Sequence, residues 1–396
     1  MDAAELALLL TPEGLRLLDS LPPYDSKGDV VRIVSELRAT GHSPELVAAV
    51  LTQARLRHRA EAKFGPFAAR MLFTEAGLEQ ATRLSVAARH AERYRSASIR
   101  RVADLGCGIG ADALAMAALD LEVFAVERDE STAAIAAYNL APWEGVTVQH
   151  GSAEDADLGG ADAAWLDPAR RSERGRLRDP ADWSPSLHFA FGLAERMPVG
   201  VKLGPGIDRE LIPEEAEAQW VSVDREVVEL GLWFGPLARP GIRRAALVIT
   251  AAGATELTGE HDSEDAELGT LGEYLYEPDG AVIRARLIGD LARTIGGRML
   301  SEGIAYVTAD TSVDTPFATR FRIIEQLPLD ERTLKKALRE RGIGRLEIKK
   351  RGVDIDPAEF RKRLAPRGDG SATLVLTRVA ERRVALLVER APGIAS

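Results

Sequence analysis

The sequence predicts an α/β protein in which a parallel-sheet domain lies between a helical region and a small α+β domain. Short apolar segments alternate with helical segments over residues 99–255, which is typical of a parallel, doubly wound sheet. Residues 1–98 instead show helical spacing of apolar residues, and residues 317–396 mix strands with helices. A chain of 396 residues is long enough for two or three such domains.

Residues 1–98 are expected to form a small helical bundle or a helical extension that packs on the next domain. Apolar residues recur every three or four positions in Val30–Leu37 and Leu46–Leu56. Ser43 followed by Pro44 is typical of a helix start, with serine as the N-cap and proline in the first turn.

The central domain, residues 99–255, begins where the helical spacing ends. Val227–Phe234 and Arg244–Thr250 have no helix between them, so they are expected to pair antiparallel at one edge of the sheet. Helices are expected at Ala111–Leu119 and Ser131–Leu140. The parallel strands are expected at Arg101–Leu105, Glu122–Val126, Val146–His150, Ala163–Leu166 and Val199–Leu203.

The last third of the chain is predicted as an acidic linker and helix, residues 256–316, followed by a small α+β domain, residues 317–396. Residues 251–279 contain nine acids and no lysine or arginine, and Ala281–Leu300 has a helical pattern. The expected elements of the final domain are strands at Phe321–Gln326, Arg345–Lys350, Ala372–Arg378 and Arg382–Glu389, with helices at Asp330–Arg341 and Pro357–Leu364.

Composition and charge exclude several classes of protein. A single cysteine, Cys107, rules out a disulfide framework, and six histidines without HxxxH or HExxH spacing make a metal site unexpected. No segment approaches the ~20 apolar residues of a membrane helix, and Met1–Leu10 lacks the basic residue of a signal peptide. These features predict a cytoplasmic protein with no membrane or metal partner.

The net charge of −10 is unevenly distributed. Residues 317–396 carry 19 basic and 11 acidic side chains, a net charge of +8, so the rest of the chain carries −18. Such asymmetry indicates an anionic partner for the basic end, although by itself the charge also suits a solvated surface.

A glycine-rich turn, Gly106–Gly110, follows the first predicted strand and opens a helix. Glycines let a ligand approach the backbone, and the helix N-terminus offers free amides. Asp104 ends the first strand, and Glu127 ends the second, where an acid binds ribose hydroxyls. Cys107 is interpreted as a small residue tolerated in the turn, since no histidine nearby in sequence can activate it.

Two cofactors match this turn. The spacing Gly106-x-Gly108-x-x-Ala111 satisfies the dinucleotide pattern. Asp104, however, would repel a pyrophosphate and can hold the cationic amino acid end of S-adenosylmethionine, and Gly110 stands where methyltransferases place their third glycine. S-adenosylmethionine is therefore favoured over NAD, and a glycine turn without ligand is the remaining alternative.

Residues Val102–Gly110 resemble motif I of class I S-adenosylmethionine-dependent methyltransferases. With Leu72–Thr82, Trp165–Arg171 and the basic C-terminal domain, the layout resembles bacterial methyltransferases with a THUMP-like C-terminal domain, related to the trimethylguanosine synthase type of RNA methyltransferase. The resemblance implies a Rossmann-like, seven-stranded methyltransferase domain at 99–255, S-adenosylmethionine as cofactor, and methyl transfer to a base nitrogen of RNA.

Asp167-Pro168 ends the fourth strand, at the active-site mouth of an open α/β sheet. Related amine methyltransferases carry Asp/Asn-Pro-Pro-aromatic there, and its oxygens accept the hydrogens of the amine while the aromatic ring stacks on the base. Ala169 and Arg170 replace the second proline and the aromatic residue, and a guanidinium plane can also stack on a base. Asp167, Pro168 and Arg170 are therefore the expected catalytic residues, although Asp-Pro can simply end a strand.

Other cofactor contacts follow from the resemblance and from the strand ends. The segment containing Gln80 and Thr82 resembles one that closes over the cofactor, with an ordinary helix as the alternative. Residues His150–Asp155 end the third strand, where amides and an acid meet adenine, and Lys202–Gly206 end the fifth, on the substrate side. The expected cofactor-binding residues are Asp104, Gly106, Cys107, Gly108, Gly110, Glu127, Arg128, Ser152, Ala153, Gln80 and Thr82.

Two basic stretches are candidate RNA contacts. Arg170–Arg178 holds five arginines and one glutamate, and Glu331–Arg351 holds nine basic and three acidic residues. A surface loop and a solvated face are the alternatives, and Trp183 suits either stacking or packing. The expected RNA-binding residues are Arg170, Arg171, Arg174, Arg176, Arg178, Trp183, Lys335, Lys336, Lys349 and Lys350.

The expected function is S-adenosylmethionine-dependent methyl transfer to RNA. One alternative is an RNA-binding protein whose methyltransferase fold no longer catalyses, which the Ala169-Arg170 replacement favours. A second is a small-molecule methyltransferase, whose cleft would be enclosed and apolar rather than rimmed by arginines.

Overall fold

A computed structural model describes residues 3–21, 27–168, 171–172, 175–176, 179 and 183–391, with the side chains of 27–31, 171–172 and 175–176 excepted. The chain forms two compact units. The first comprises Met1–Lys202 and Trp233–Leu237, and the second comprises Leu203–Leu232 and Ala238–Ser396. The expected class is confirmed: a mixed α/β protein with helices at the N-terminus and a sheet-rich C-terminal region.

Six α-helices precede the first strand. The Ser43 hydroxyl accepts a hydrogen bond from the Leu46 amide at 3.2 Å, with Pro44 in the first turn, as the sequence predicts. Thr11 caps the helix Pro12–Ser20 in the same way, because its hydroxyl accepts a hydrogen bond from the Gly14 amide. The helices are α1 (Ala3–Leu9), α2 (Pro12–Ser20), α3 (Lys27–Ala39), α4 (Pro44–Phe64), α5 (Glu75–Gln80) and α6 (Leu84–Ser96), with a 3-10 turn at Gly65–Arg70.

The first unit then forms a parallel sheet whose strands match the predicted bounds to within a residue. Its strands are β1 (Arg101–Leu105), β2 (Glu122–Glu127), β3 (Val146–His150), β4 (Ala163–Leu166) and β7 (Val199–Leu203), and β5 (Arg171–Ser172) and β6 (Gly175–Arg176) form a separate hairpin. The connecting helices are α7 (Ala111–Ala117), α8 (Glu130–Leu140) and α9 (Leu187–Ala194). The strand order β7–β4–β1–β2–β3 brings the carboxyl ends of all five strands to one edge.

The second unit begins with β8 (Glu217–Val223), β9 (Glu226–Trp233), β10 (Arg244–Thr250) and β11 (Gly253–Gly259). Strand β10 pairs in parallel with β8 and antiparallel with β11. Both edges of β10 are thereby occupied, so the expected antiparallel pairing of Val227–Phe234 with Arg244–Thr250 is wrong. A tight turn before Gly253 instead returns the chain directly alongside β10.

A second sheet of seven strands completes this unit, and three of its strands lie in residues 256–316, which were expected to be a linker and a helix. Leu275 is fully buried and pairs with Phe321, which places residues 274–278 inside the sheet. The helices are α10 (Gly280–Arg284), α11 (Ile288–Thr294), α12 (Glu331–Glu340) and α13 (Pro357–Leu364). The strands are β12 (Tyr274–Pro278), β13 (Arg298–Met299), β14 (Val307–Ala309), β15 (Ala318–Pro328), β16 (Ile343–Lys350), β17 (Gly370–Val379) and β18 (Arg382–Arg390), in the order β13–β14–β12–β15–β18–β17–β16.

Within the residues described, no helix combines the length and the apolar character needed to cross a bilayer. The same residues contain no group of three or more histidine, cysteine, aspartate or glutamate side chains arranged to hold a metal ion.

Candidate cofactor and acceptor site

The glycine turn between β1 and α7 has a conformation that its three glycines make possible. Gly106, Gly108 and Gly110 have φ values of +91°, +56° and +86°, which other residues rarely adopt. A Cβ atom on Gly110 would also lie 2.9 Å from Cδ1 of Leu140. The turn therefore depends on glycine both for its backbone angles and for its close packing on α8.

Glu127 fixes this turn from the end of β2. Its Oε2 accepts a hydrogen bond from the Gly108 amide at 2.9 Å, and its Oε1 accepts one from the Asp129 amide at 2.9 Å. Residues 106 and 107 also donate their amides to the carbonyl of Val126. The carboxylate expected to bind ribose hydroxyls thus lies against the cofactor turn.

Asp104 is a buried carboxyl group with an unsatisfied oxygen. Its side chain is 1% exposed, and its Oδ2 has no hydrogen-bond partner among the described residues. Burial raises the pKa of Asp104 well above its usual range, and the nearby Asp112 and Asp167 raise it further, against the opposing effect of Lys202. A buried carboxyl group without a partner is costly unless a cation joins it, so this position suits a cationic ligand group.

Asp112, in the first turn of α7, is by contrast fully engaged. Its Oδ1 lies 2.8 Å from Nδ1 of His90, and its Oδ2 accepts a hydrogen bond from the Thr82 hydroxyl at 2.7 Å. Burial acts to raise the pKa of Asp112, but the hydrogen bond and charge of His90 outweigh it, so the net shift is downward. Asp112 therefore supports the start of α7 as a carboxylate.

Asp167 and Lys202 form an ion pair at the carboxyl ends of β4 and β7. Lys202 Nζ lies 2.6 Å from Asp167 Oδ2 and also donates to the Thr82 hydroxyl at 2.9 Å. The Asp167 side chain is 34% exposed, whereas Pro168 behind it is buried. The carbonyl oxygen of Asp167 lies 3.4 Å from where a Cβ of Gly106 would be, so the Asp-Pro segment lies beside the glycine turn.

The other expected cofactor contacts lie around this edge of the sheet. Ser152 Oγ caps the 3-10 turn at Ala153–Asp155, and Ala153 is buried beneath it. Arg128 donates to Ser184 Oγ at 3.2 Å. Gln80 ends α5 with an exposed side chain, and the buried Thr82 hydroxyl is already used by Asp112 and Lys202, so its role as a cofactor contact stays a prediction.

Several expected substrate residues fall outside the described chain. These are Arg170, Arg174 and Arg178, while Arg171 and Arg176 lie in β5 and β6 without a described side chain. Trp183 is 7% exposed, which favours the packing anchor over a stacking surface.

Sequence reasoning did not identify His90, Asp112 and Asn139 as parts of the site. Asn139 of α8 accepts from the Leu72 amide at 2.7 Å and donates to the carbonyl of Ile109 at 2.9 Å, so it ties the segment before α5 to the glycine turn. The available signal was a polar residue on an otherwise apolar helix: Asp112 and Asn139 are both buried in Ala-rich helices.

These residues fit S-adenosylmethionine. Asp104 would hold its ammonium group and Glu127 its ribose, beside open space next to Gly108 that lets the ligand approach the turn. When bound, this cofactor supplies a methyl group already activated on a sulfonium. The chain's own contribution would be to orient the acceptor beside Asp167.

Comparison with known proteins agrees with this cofactor. The chain is 33% identical over 341 residues to two Mycobacterium tuberculosis proteins (strains CDC 1551 and H37Rv), each named an uncharacterized S-adenosylmethionine-dependent methyltransferase, and the match covers 82% of this chain and 90% of each relative. A crystal structure of a proposed methyltransferase from Porphyromonas gingivalis W83 matches the fold with a TM-score of 0.71 at 23% identity, over 93% of this chain and 100% of that chain.

Two family models match parts of the chain. Residues 318–390 match a THUMP domain-like family, and residues 2–60 match a domain of unknown function, DUF8688. With a relative of this identity over most of its length, the chain belongs to the S-adenosylmethionine-dependent methyltransferases, and S-adenosylmethionine is its cofactor.

Proposed function

We propose that this enzyme transfers the methyl group to a base nitrogen of RNA in the cytoplasm. The observation that carries the proposal is a basic helical face on the THUMP domain-like region, in a chain that is otherwise acidic. Basic side chains on one surface suit contacts to the phosphates of a nucleic acid.

The basic face is formed by α12 and α13. Leu334, Leu338 and Phe360 point into the core against β16–β18, so the opposite sides of both helices face solvent. Arg332, Lys336 and Arg339 are exposed and lie four and three residues apart, which places them in one stripe along α12. The exposed basic residues of α13 are Arg361, Lys362 and Arg363.

The four lysines expected to bind RNA do not share one surface. Lys335 is paired with Glu331 at 2.7 Å within α12. Lys349 is half-buried and paired with Glu277 at 2.8 Å, whereas Lys350 is exposed and, by strand alternation, faces the same side as Ile348 of the helix-side core. The proposed RNA surface is therefore the α12 stripe with α13 and Lys350, and Lys349 stabilises the sheet.

The acceptor side of the proposal rests on Asp167. Its partly exposed carboxylate lies beside the cofactor turn and can accept a hydrogen from an exocyclic amine, which aims the nitrogen lone pair at the methyl group. Arg170 stays the proposed stacking residue for the base.

The RNA-binding part is tested by a salt titration of RNA affinity. A triple variant Arg332→Gln, Lys336→Gln, Arg339→Gln is compared with Arg16→Gln, Arg95→Gln, Arg100→Gln, which removes three exposed positive charges from the first unit. Filter binding to total cellular RNA should show a slope of log K against log salt that is shallower by roughly 2–3 units for the first variant only. Equal slopes for both variants and the wild type would argue for a small-molecule acceptor.

Point variants are preferable to removing residues 317–396. Strand β15 pairs with β12, so truncation at 317 would cut one sheet between two hydrogen-bonded strands and expose its core.

The catalytic part is tested by mass spectrometry of modified nucleosides. RNA from cells with and without the gene should differ in one methylated base, and a copy with Asp167→Ala should fail to restore it while the purified variant still binds S-adenosylhomocysteine. An inactive fold that only binds RNA would leave the nucleoside profile unchanged.

A further inference from the structure

We propose that Lys202 is a positioning residue for methyl transfer, which fixes the Asp167 carboxylate and is itself held by the buried chain Thr82–Asp112–His90. The inference rests on the proposed role of Asp167 as the group that orients the acceptor. It does not depend on whether the acceptor is RNA.

Strand register brings Lys202 to this position. Leu166 of β4 pairs with Val201 of β7, so the residues that follow them, Asp167 and Lys202, lie side by side at the carboxyl edge of the sheet. The lysine side chain is 12% exposed, far less than the 34% of its carboxylate partner. A buried ammonium at this place is therefore held by specific partners rather than by solvent.

Those partners form a continuous chain of polar contacts. Lys202 donates to the Thr82 hydroxyl, which donates in turn to Asp112, and His90 lies against the second oxygen of that carboxylate. The His90 ring packs on Trp165 of β4 with ring centroids 4.4 Å apart. Because Thr82, Asp112 and His90 are buried and engaged, the ammonium of Lys202 has little freedom to move away from Asp167.

The pairing with Lys202 sets the direction in which the Asp167 carboxylate can accept a hydrogen bond from the acceptor. A carboxylate has two oxygens, and Lys202 holds Oδ2 at 2.6 Å. Fixing one oxygen fixes the direction in which the other can accept a hydrogen from the acceptor. A loss of this alignment should lower turnover, because misplacement by about 1 Å can cost about 100-fold.

The test is a double-mutant cycle with Lys202→Met and Asp167→Ala. Methyl transfer from tritiated S-adenosylmethionine is measured on total RNA from cells that lack the gene. We expect Lys202→Met to lower kcat by about 10- to 100-fold, with S-adenosylhomocysteine affinity and RNA KM changed by less than about threefold. In the Asp167→Ala background the same change should cause no further loss, because the lysine acts through that carboxylate.

Three further variants separate positioning from general damage to the fold. Lys202→Arg keeps a cation and should recover part of the lost kcat. Thr82→Ser keeps the hydroxyl that links Lys202 to Asp112, whereas Thr82→Val removes it. At position 82, only the valine variant should therefore lower kcat. The proposal would be overturned if Lys202→Met lowered kcat by the same factor in the Asp167→Ala background as in the wild type. It would also be overturned if Lys202→Met and Lys202→Arg lowered kcat equally.

An additional arm distinguishes this inference from the RNA proposal. The same variants are assayed on a cell extract before and after treatment with ribonuclease. Label that survives the treatment would reject RNA as the acceptor, while the ratio of Lys202→Met to wild-type incorporation would still test the positioning role on the acceptor that remains.

Discussion

Each unit of this protein contains a buried cluster of charged side chains, and the two clusters differ in how completely they are paired. In the first unit, Asp104 has a buried oxygen without a partner among the described residues. In the second unit, Glu217 is fully buried, and its oxygens accept hydrogen bonds from the backbone amide of Arg239 at 2.8 Å and from its guanidinium at 2.5 Å.

Both carboxylate oxygens of Glu217 have hydrogen-bond partners. Arg239 also bonds Glu256, which in turn accepts from the side-chain amide of Gln219. Hydrogen bonds to the two glutamates outweigh burial and raise the pKa of Arg239 above its usual range, so the guanidinium stays charged. This pairing is what a buried ion cluster needs to avoid a large desolvation cost.

The difference separates a structural cluster from a functional one. A cluster whose donors and acceptors all pair holds strands together, whereas a buried carboxyl group left unpaired costs stability that only a ligand can recover. We infer from this contrast, together with the position of Asp104 at the end of β1 beside the glycine turn, that Asp104 serves the cofactor site and that Glu217 serves the framework of its own unit.

The largest effect is expected for Asp104→Asn. The variant loses the charge that pairs with the cofactor's ammonium group, so S-adenosylhomocysteine should bind about 100-fold more weakly or not at all. Calorimetry and thermal shift would show it, since a ligand of the native state raises Tm by mass action. The free variant should be at least as stable as the wild type, and a lower Tm without ligand would contradict an unpaired role for Asp104.

The converse result is expected for Glu217→Gln. This change leaves Arg239 with a neutral partner and should lower the free energy of unfolding by about 2 kcal/mol, the midrange cost of a weakened buried charged pair whose cation is partly exposed. Urea unfolding measures the loss, and S-adenosylhomocysteine affinity serves as the control. If Glu217→Gln weakened S-adenosylhomocysteine binding and left the free energy of unfolding unchanged, Glu217 would serve ligand binding rather than the framework.

A smaller effect is expected in the pH dependence of stability. The folded-state pKa of Asp104 is raised, chiefly by burial, so the folded protein binds a proton that the unfolded chain releases above its ordinary pKa of about 3.9. Stability from this group is therefore lost as pH rises from about 4 to the raised folded value. Relative to wild type, Asp104→Asn should gain about 1 kcal/mol or more between pH 5 and pH 8 in urea unfolding. A constant difference would show that Asp104 ionises normally.

The smallest effect is expected for Cys107→Ala. Burial raises the pKa of the Cys107 thiol well above its usual range, and Asp104 and Glu127 raise it further, so the thiol stays protonated and unreactive. Methyl transfer by the variant should stay within about threefold of wild type, and iodoacetamide should label the native wild-type protein slowly at pH 7. Rapid labelling, or a large loss of turnover, would assign the cysteine a chemical role.

Sequence patterns predicted some parts of the molecule far better than others. The glycine turn and the five parallel strands follow local rules, namely short apolar runs, alternation with helices and acids at strand ends, and their bounds agree with the structure. The linker at 256–316 was misjudged because the acids of 251–279 obscured the apolar residues, such as Leu275, that pack into the second sheet. Local composition does not report which distant strand will cover a residue.

The amino-acid sequence by itself determined the five parallel strands of the first unit, the glycine turn and the presence of Asp104, Glu127 and Asp167 at strand ends, because each depends on residues close together in the chain. Only the tertiary structure decided that Lys202 forms an ion pair with Asp167, that Thr82 and His90 both contact Asp112, and that Lys349 forms an ion pair with Glu277. Those contacts join residues 22 to 72 positions apart. They depend on strand register and helix packing, which a pattern along the chain does not specify.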